Sequence, residues 1–180
     1  MKRKYHIIIL LATCLQYSAC GQVTSSSPPA QDSVRTSTIV EPEGYINDFE
    51  SLFSEVEAVE LDSLIVDFQQ RTTNQIAIAT LGPSQCSKED FEDYSLRLAN
   101  TWGVGQKEKN NGILIAISKA FRQIRIHNGK GIETILSGEE TRQIVDDYFI
   151  PEFKEGNYFE GTKKGLLALI KRLEEKQNKQ

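Results

Sequence analysis

Few residues in this chain are of types that do chemistry, and they lie far apart in sequence. Asp48 stands near the start of the apolar part of the chain, and Gly103-Val104-Gly105 forms a turn farther along. A hard cation such as calcium takes about six to eight oxygens, many of them loop carbonyls. The two glycines let carbonyls converge, and Asp48 would add charge. The competing reading makes Asp48 the cap of the turn that follows it, and Asn111-Gly112 a simple turn.

Acid–base chemistry has less to work with. Hydrolysis of a phosphate ester needs a nucleophile, an acid and a cradle for developing charge. His127 sits in an alternating segment, and its outward place there reads as solvated surface. Asp146 and Asp147 are adjacent, but neighbours on a helix diverge by about 100°, so one of them faces solvent. Gly129-Lys130-Gly131 either offers backbone amides to an anion or makes a turn that needs positive φ. Cys86, just before a helix start, reads as a reactive thiol or as a surface cysteine without a role. Lys163-Lys164 and Lys171-Arg172 read as the solvated face of a last helix, and Glu160, Glu174 and Glu175 dilute any lipid-facing role.

The first residues address the chain rather than build it. Lys2, Arg3 and Lys4 precede an apolar run from Ile7 to Leu15. That run is shorter than the roughly 20 apolar residues a bilayer requires, and with the basic start it makes a secretory signal. Tyr17-Ser18-Ala19-Cys20 resembles a lipobox, with Tyr17 where Leu is preferred, so Cys20 is the expected lipid attachment point. Cys14, after Leu11-Ala12-Thr13, is the competing acceptor. Ordinary cleavage near Ala19 is the other alternative, and it would release the domain. Losing residues 1–19 leaves 18 basic residues against 25 acidic ones, a net charge of −7. Such an acidic domain repels phosphate backbones, so no nucleic acid is expected as partner. With Cys20 lipidated, Cys86 is the last cysteine, and no disulfide or cysteine zinc cluster can form. The expected location is the cell envelope, with the domain exported from the cytoplasm and membrane-bound through Cys20.

Residues 20–44 are rich in Ser, Thr, Pro and Gln, have little apolar surface with which to fold, and read as a tether. Residues 45–175 read as one α/β domain, and 176–180 as a polar tail. Ser54 and Glu57 have capping-box spacing, and Leu61, Leu64, Ile65 and Phe68 then mark a helix ending near Arg71. Gln75–Leu81 reads as a strand buried on both faces. Ser87 is expected to cap a second helix that Gly103 stops, with Phe91, Tyr94, Leu98 and Trp102 on one side. Ile113–Ile117 is a second strand, parallel to the first through a right-handed crossover. The short link 118–122 turns Gln123–His127 back antiparallel. Ser137 and Glu140 repeat the capping box, with Ile144, Val145, Tyr148 and Phe149 inward and Pro151 ending the helix. Asn157 opens the last helix, which buries Phe159, Leu166, Leu169, Ile170 and Leu173. The expected fold class is a three-layer α/β/α sandwich with a mixed, mostly parallel central sheet.

Several segments exceed what those elements need: Tyr45-Ile46-Asn47-Asp48, Thr101-Trp102-Gly103-Val104-Gly105, Asn110-Asn111-Gly112, the run from Arg122 through Gly129-Lys130-Gly131 to Glu133, and Ile150 to Tyr158. In this order and spacing the chain resembles the TPM domain family, over about Tyr45 to Leu173. That family includes a thylakoid-lumen protein with acid phosphatase activity and many exported or membrane-anchored bacterial proteins. The resemblance implies the α/β/α sandwich and a site for a divalent cation, chiefly calcium. It places that site among Asp48, the turn Trp102–Gly105, Asn110 and Asn111. It also implies weak phosphomonoesterase activity. Asn110 stands where the family usually has Asp, and the lost carboxylate lowers the expected affinity. The alternative function is a non-catalytic interaction or quality-control module whose protein partner the sequence does not name.

Overall fold

The computed structural model describes residues 38–179. The basic start, Cys14, Cys20 and most of the tether lie outside the described residues.

Strand β1 (Ile46–Asp48) is followed by helix α1 (Glu55–Thr72). Ser54 and Glu57 cap α1 reciprocally: the Ser54 hydroxyl accepts from the Glu57 N–H, and the Glu57 carboxylate accepts from the Ser54 N–H at 2.7 Å. The helix buries Leu61, Ile65 and Phe68 and ends at Thr73, whose φ of 66° is left-handed. Strand β2 (Gln75–Thr80) leads to α2 (Phe91–Trp102), which Gly103 stops in the left-handed region. The Ser87–Asp90 turn forms, but Asp90 rather than Ser87 is the residue at the helix start. Strands β3 (Gly112–Ser118) and β4 (Gln123–Asn128) form an antiparallel pair.

The sheet runs β1-β2-β3-β4, with β1, β2 and β3 parallel. Leu61, Ile65 and Phe68 of α1 meet one face, with Ile76, Ile78, Ile113, Ile115 and Ile117. Phe91, Tyr94 and Leu98 of α2 meet the other, with Ala77, Ala79, Leu114 and Ala116. Both crossovers step the same way along the sheet, yet they lie on opposite faces. They are therefore of opposite hand, and one departs from the right-handed rule. The three-layer arrangement is the expected one. Strand β1 lacks a periodic signal of its own because it has only three residues.

Three local expectations are corrected. Pro151 does not end its helix. After α3 (Lys130–Glu133), α4 (Gly138–Ile144) runs through a π-helical turn, Val145–Phe149, into α5 (Ile150–Lys154). Pro151 stands in the first turn of α5, where a missing N–H is tolerated, and the wide π turn precedes it. That extra residue also rotates Tyr148 outward, to 44% exposure, while Ile144 and Phe149 stay buried. Helix α6 (Tyr158–Gln177) buries Leu166, Leu169, Ile170 and Leu173, leaves Phe159 only partly covered, and takes in the start of the expected polar tail.

The domain also begins earlier than Tyr45. Ile39 and Val40 pack on the α2 side of the core. The Trp102 indole N–H donates to the Val40 carbonyl at 2.6 Å, and the Tyr94 hydroxyl donates to the Thr38 carbonyl at 3.3 Å. The last residues assigned to the tether are thus a strap across α2.

Candidate functional site

The strand register separates the residues expected to share a cation. Asp48 pairs with Thr80 at the carboxyl end of β2, whereas Gln75 at its amino end pairs with Gly112. Thr80 is five residues beyond Gln75, about 16 Å of strand. Trp102, Gly105, Asn110 and Asn111 gather near the amino end, and Asp48 stands at the other. The single constellation containing all five residues is corrected on this ground.

At the amino end, the glycine and asparagine motifs frame a tightly packed loop. A methyl on Gly105 would lie 2.4 Å from the Gly112 nitrogen, and Gly105 itself has φ of 103°. Its N–H donates to the Gln75 side chain at 2.8 Å. Buried Asn111 accepts from the Gln106 N–H and donates to the Thr73 carbonyl, both at 2.8 Å. Asn110 takes the left-handed region, at φ of 48°, and its side chain is exposed. Left-handed backbone suits an asparagine. Gly129 does not need positive φ, since its φ is −67°. It and Gly131 are needed because added methyls would meet the carbonyl oxygens of Asn110 and Lys109 at 2.3 and 2.1 Å.

At the carboxyl end, Asp48 caps the loop that follows it. One carboxylate oxygen accepts from the Leu52 N–H at 3.0 Å and the Thr80 hydroxyl at 2.6 Å, and the other accepts from the Phe53 N–H at 2.8 Å. Glu50, which no motif singled out, reaches across the sheet end. Its carboxylate accepts the Lys119 and Ala120 N–H groups at 2.8 and 3.0 Å, and so holds the β3–β4 turn.

Next to that turn opens a cleft of about 980 Å³. Ile124, Ile150, Phe153 and Tyr158 give it an apolar lining, and Lys119, Arg122 and Lys154 line it together with Glu50 and Glu155. The Lys119 ammonium lies 5.8 Å from the centroid of the Tyr158 ring, within cation–π range. Sequence reasoning marked Ile150–Tyr158 as more than an element requires. It had no means of seeing that the π turn and α6 fold this segment against β4.

The acid–base residues do not meet at the cleft. His127 faces α2, not open solvent, and its Nε2 lies 2.8 Å from the hydroxyl of Ser95. Ser95 is fully buried, and burial lowers the His127 pKa below the usual range. A substrate cannot reach that hydroxyl without displacing α2. Asp146 and Asp147 are both exposed. Cys86 is not on the surface: it is 5% exposed in the α2-side core, and burial, with Asp90 nearby, pushes its thiol up to about 11. Among the described residues no three His, Cys, Asp or Glu side chains are grouped to hold a metal.

The TPM domain model matches residues 46–172, and the chain belongs to the TPM domain family. Several solved structures resemble it. The N-terminal domain of a protein from P. gingivalis, solved by NMR, is 28% identical with a TM-score of 0.67, covering 77% of this chain and 94% of that one. The BA42 protein from the psychrophilic bacterium Bizionia argentinensis is 19% identical with a TM-score of 0.61, covering 71% and 85%. The N-terminal domain of the cg2496 protein from Corynebacterium glutamicum is 15% identical with a TM-score of 0.52, covering 76% and 84%. The last two likenesses bear on the fold alone. No curated protein matches the chain.

Proposed function

We propose that this TPM domain is a non-catalytic binding module of the cell envelope, tethered to a membrane by lipid on Cys20, with its ligand site in the cleft at the carboxyl end of the sheet. One observation carries the reading: the cleft joins an apolar lining to three cationic and two acidic side chains at the end of the parallel strands. Ligands of open α/β sheets bind outside the carboxyl ends of the strands. A lined pocket with a few convergent polar groups is the usual form of a binding site.

The cation and phosphomonoesterase readings have weaker support. For a cation, the amino-end loop offers the exposed Asn110 amide and turn carbonyls. The other named side chains there are occupied, Asn111 with Gln106 and Thr73. Calcium affinity follows ligand charge, so binding at this loop is weak. For ester hydrolysis, the Ser95–His127 pair is enclosed between α2 and β4.

Photo-crosslinking in cells tests the module. A photoreactive residue at Gln123, in the cleft, is expected to give discrete protein adducts, and Lys154→Glu is expected to remove them. The same residue at Lys107, at the other end of the sheet, is expected to give none. Equal adducts at both positions would count against the cleft. Membrane fractionation of Cys20→Ser tests the anchor, with release from the membrane as the expected result.

A further inference from the structure

The geometry points to β4 as a docking edge on which an extended acidic peptide of a partner protein adds as a fifth strand, with an apolar side chain in the adjoining cleft. This rests on the cleft being the ligand site, and it specifies the ligand and how it binds.

Hydrogen-bond parity along β4 is set at Gly129. The Gly129 N–H donates to the Gly112 carbonyl, and these two residues continue the β3–β4 register. Bonds in an antiparallel ladder join alternate opposed pairs. His127, Arg125 and Gln123 therefore direct their backbone groups to β3. Ile124, Ile126 and Asn128 direct theirs away from the sheet. The other edge of β3 agrees: Asn111 and Ile117, the odd positions, accept from β2 and its continuation at Leu81. Strand β4 is the last in the sheet order. Among the described residues the outward groups of β4 have one protein partner, the Arg125 guanidinium on the Ile124 carbonyl at 2.9 Å. A row of unpaired N–H and C=O groups is a template for another strand.

The cleft supplies what distinguishes one peptide from another. It begins at Gln123 and Ile124, the first residues of this edge. In strand addition, main-chain bonds give affinity and pockets for alternate side chains give specificity. The apolar lining of Ile124, Ile150, Phe153 and Tyr158 takes one such side chain. Lys119, Arg122 and Lys154 outnumber the lining carboxylates: Glu155 is one, and the other, Glu50, is turned onto the β3–β4 backbone amides. Charge complementarity thus selects an acidic segment.

The test uses the full isotope-labelled chain in detergent and a short valine–threonine peptide carrying aspartates at one end. A peptide with lysines in their place is the control. The acidic peptide is expected to slow hydrogen exchange at the amides of Ile124 and Ile126, with the already bonded Arg125 and His127 amides unaffected. Lys154→Glu is expected to weaken its binding about tenfold, with an unchanged circular dichroism spectrum. Peptide-induced shifts at Phe153 and Tyr158 without new protection at Ile124 and Ile126 would overturn strand addition while leaving the cleft as the ligand site. Equal binding of the lysine peptide would overturn the acidic preference. No binding of either peptide, alongside cleft crosslinks in cells, would overturn the peptide proposal alone.

Discussion

Gly112 passes directly beneath Val104: a methyl group on it would lie 1.7 Å from the Val104 carbonyl oxygen. No rotamer change relieves that contact, because both partners are backbone. Gly112→Ala is therefore expected to cost at least about 3 kcal/mol, the upper end of overpacking penalties. Gly103→Ala is the control. Gly103 has left-handed φ but nothing within 4 Å of an added methyl, so about 1 kcal/mol is expected. Urea unfolding of the two variants checks the contrast, and equal losses would refute it.

Ser95 and His127 give a second prediction. Burial, the largest cause, lowers the His127 pKa, so the folded state disfavours the imidazolium. The unfolded chain then binds the proton more readily, and this contribution to stability is present above the unfolded pKa and lost as pH falls below it. His127→Gln is expected to flatten the loss of stability between about pH 7 and pH 5. An NMR titration placing the His127 midpoint at or above the free value would contradict this.

Glu140 behaves in the opposite chemical sense. A hydrogen bond from Lys176, then the Ser137 backbone N–H, lowers its pKa to about 2. Its contribution is present above the ordinary carboxylate value and lost as pH falls toward 2. Glu140→Gln is expected to lower the Tm at pH 7 and to match the parent chain near pH 2, as read by calorimetry. A constant difference across that range would show that the carboxylate charge is not the cause.

Asp48 is expected to matter to stability and not to calcium. Asp48→Ala leaves the Leu52 and Phe53 N–H groups and the Thr80 hydroxyl without their acceptor. Loss of about 2 kcal/mol is expected, in the range for orphaned polar groups. Calcium titration of the parent chain is expected to leave the amide signals of Leu52 and Phe53 unmoved. A saturable shift there would restore Asp48 to a cation site.

Much of the fold was legible because its signals are local. The boxes at Ser54 and Ser137, the helical spacing of Leu61, Ile65 and Phe68, and the run Gln75–Leu81 each act within a few residues. The site was less legible because it depends on register. Asp48 and Asn111 both belong to recognisable motifs, yet only the pairing of Asp48 with Thr80 and of Gly112 with Gln75 shows that they mark opposite ends of one sheet. Pro151 misled for a related reason: a π turn ahead of it let the helix continue, and no periodic pattern announces that turn. Glu50 gave no warning, since its partners, Lys119 and Ala120, lie about 70 residues away in sequence.

The strap across α2 has a mechanical consequence. Any pull on the chain upstream of Thr38 passes first through the Tyr94 hydroxyl and the Trp102 indole. These contacts sit at two places along one helix, so the load falls on an outer layer of the sandwich rather than on a fraying end. Such tension would be felt at α2, and through the Ser95–His127 contact at β4, before it reached α6 on the opposite face.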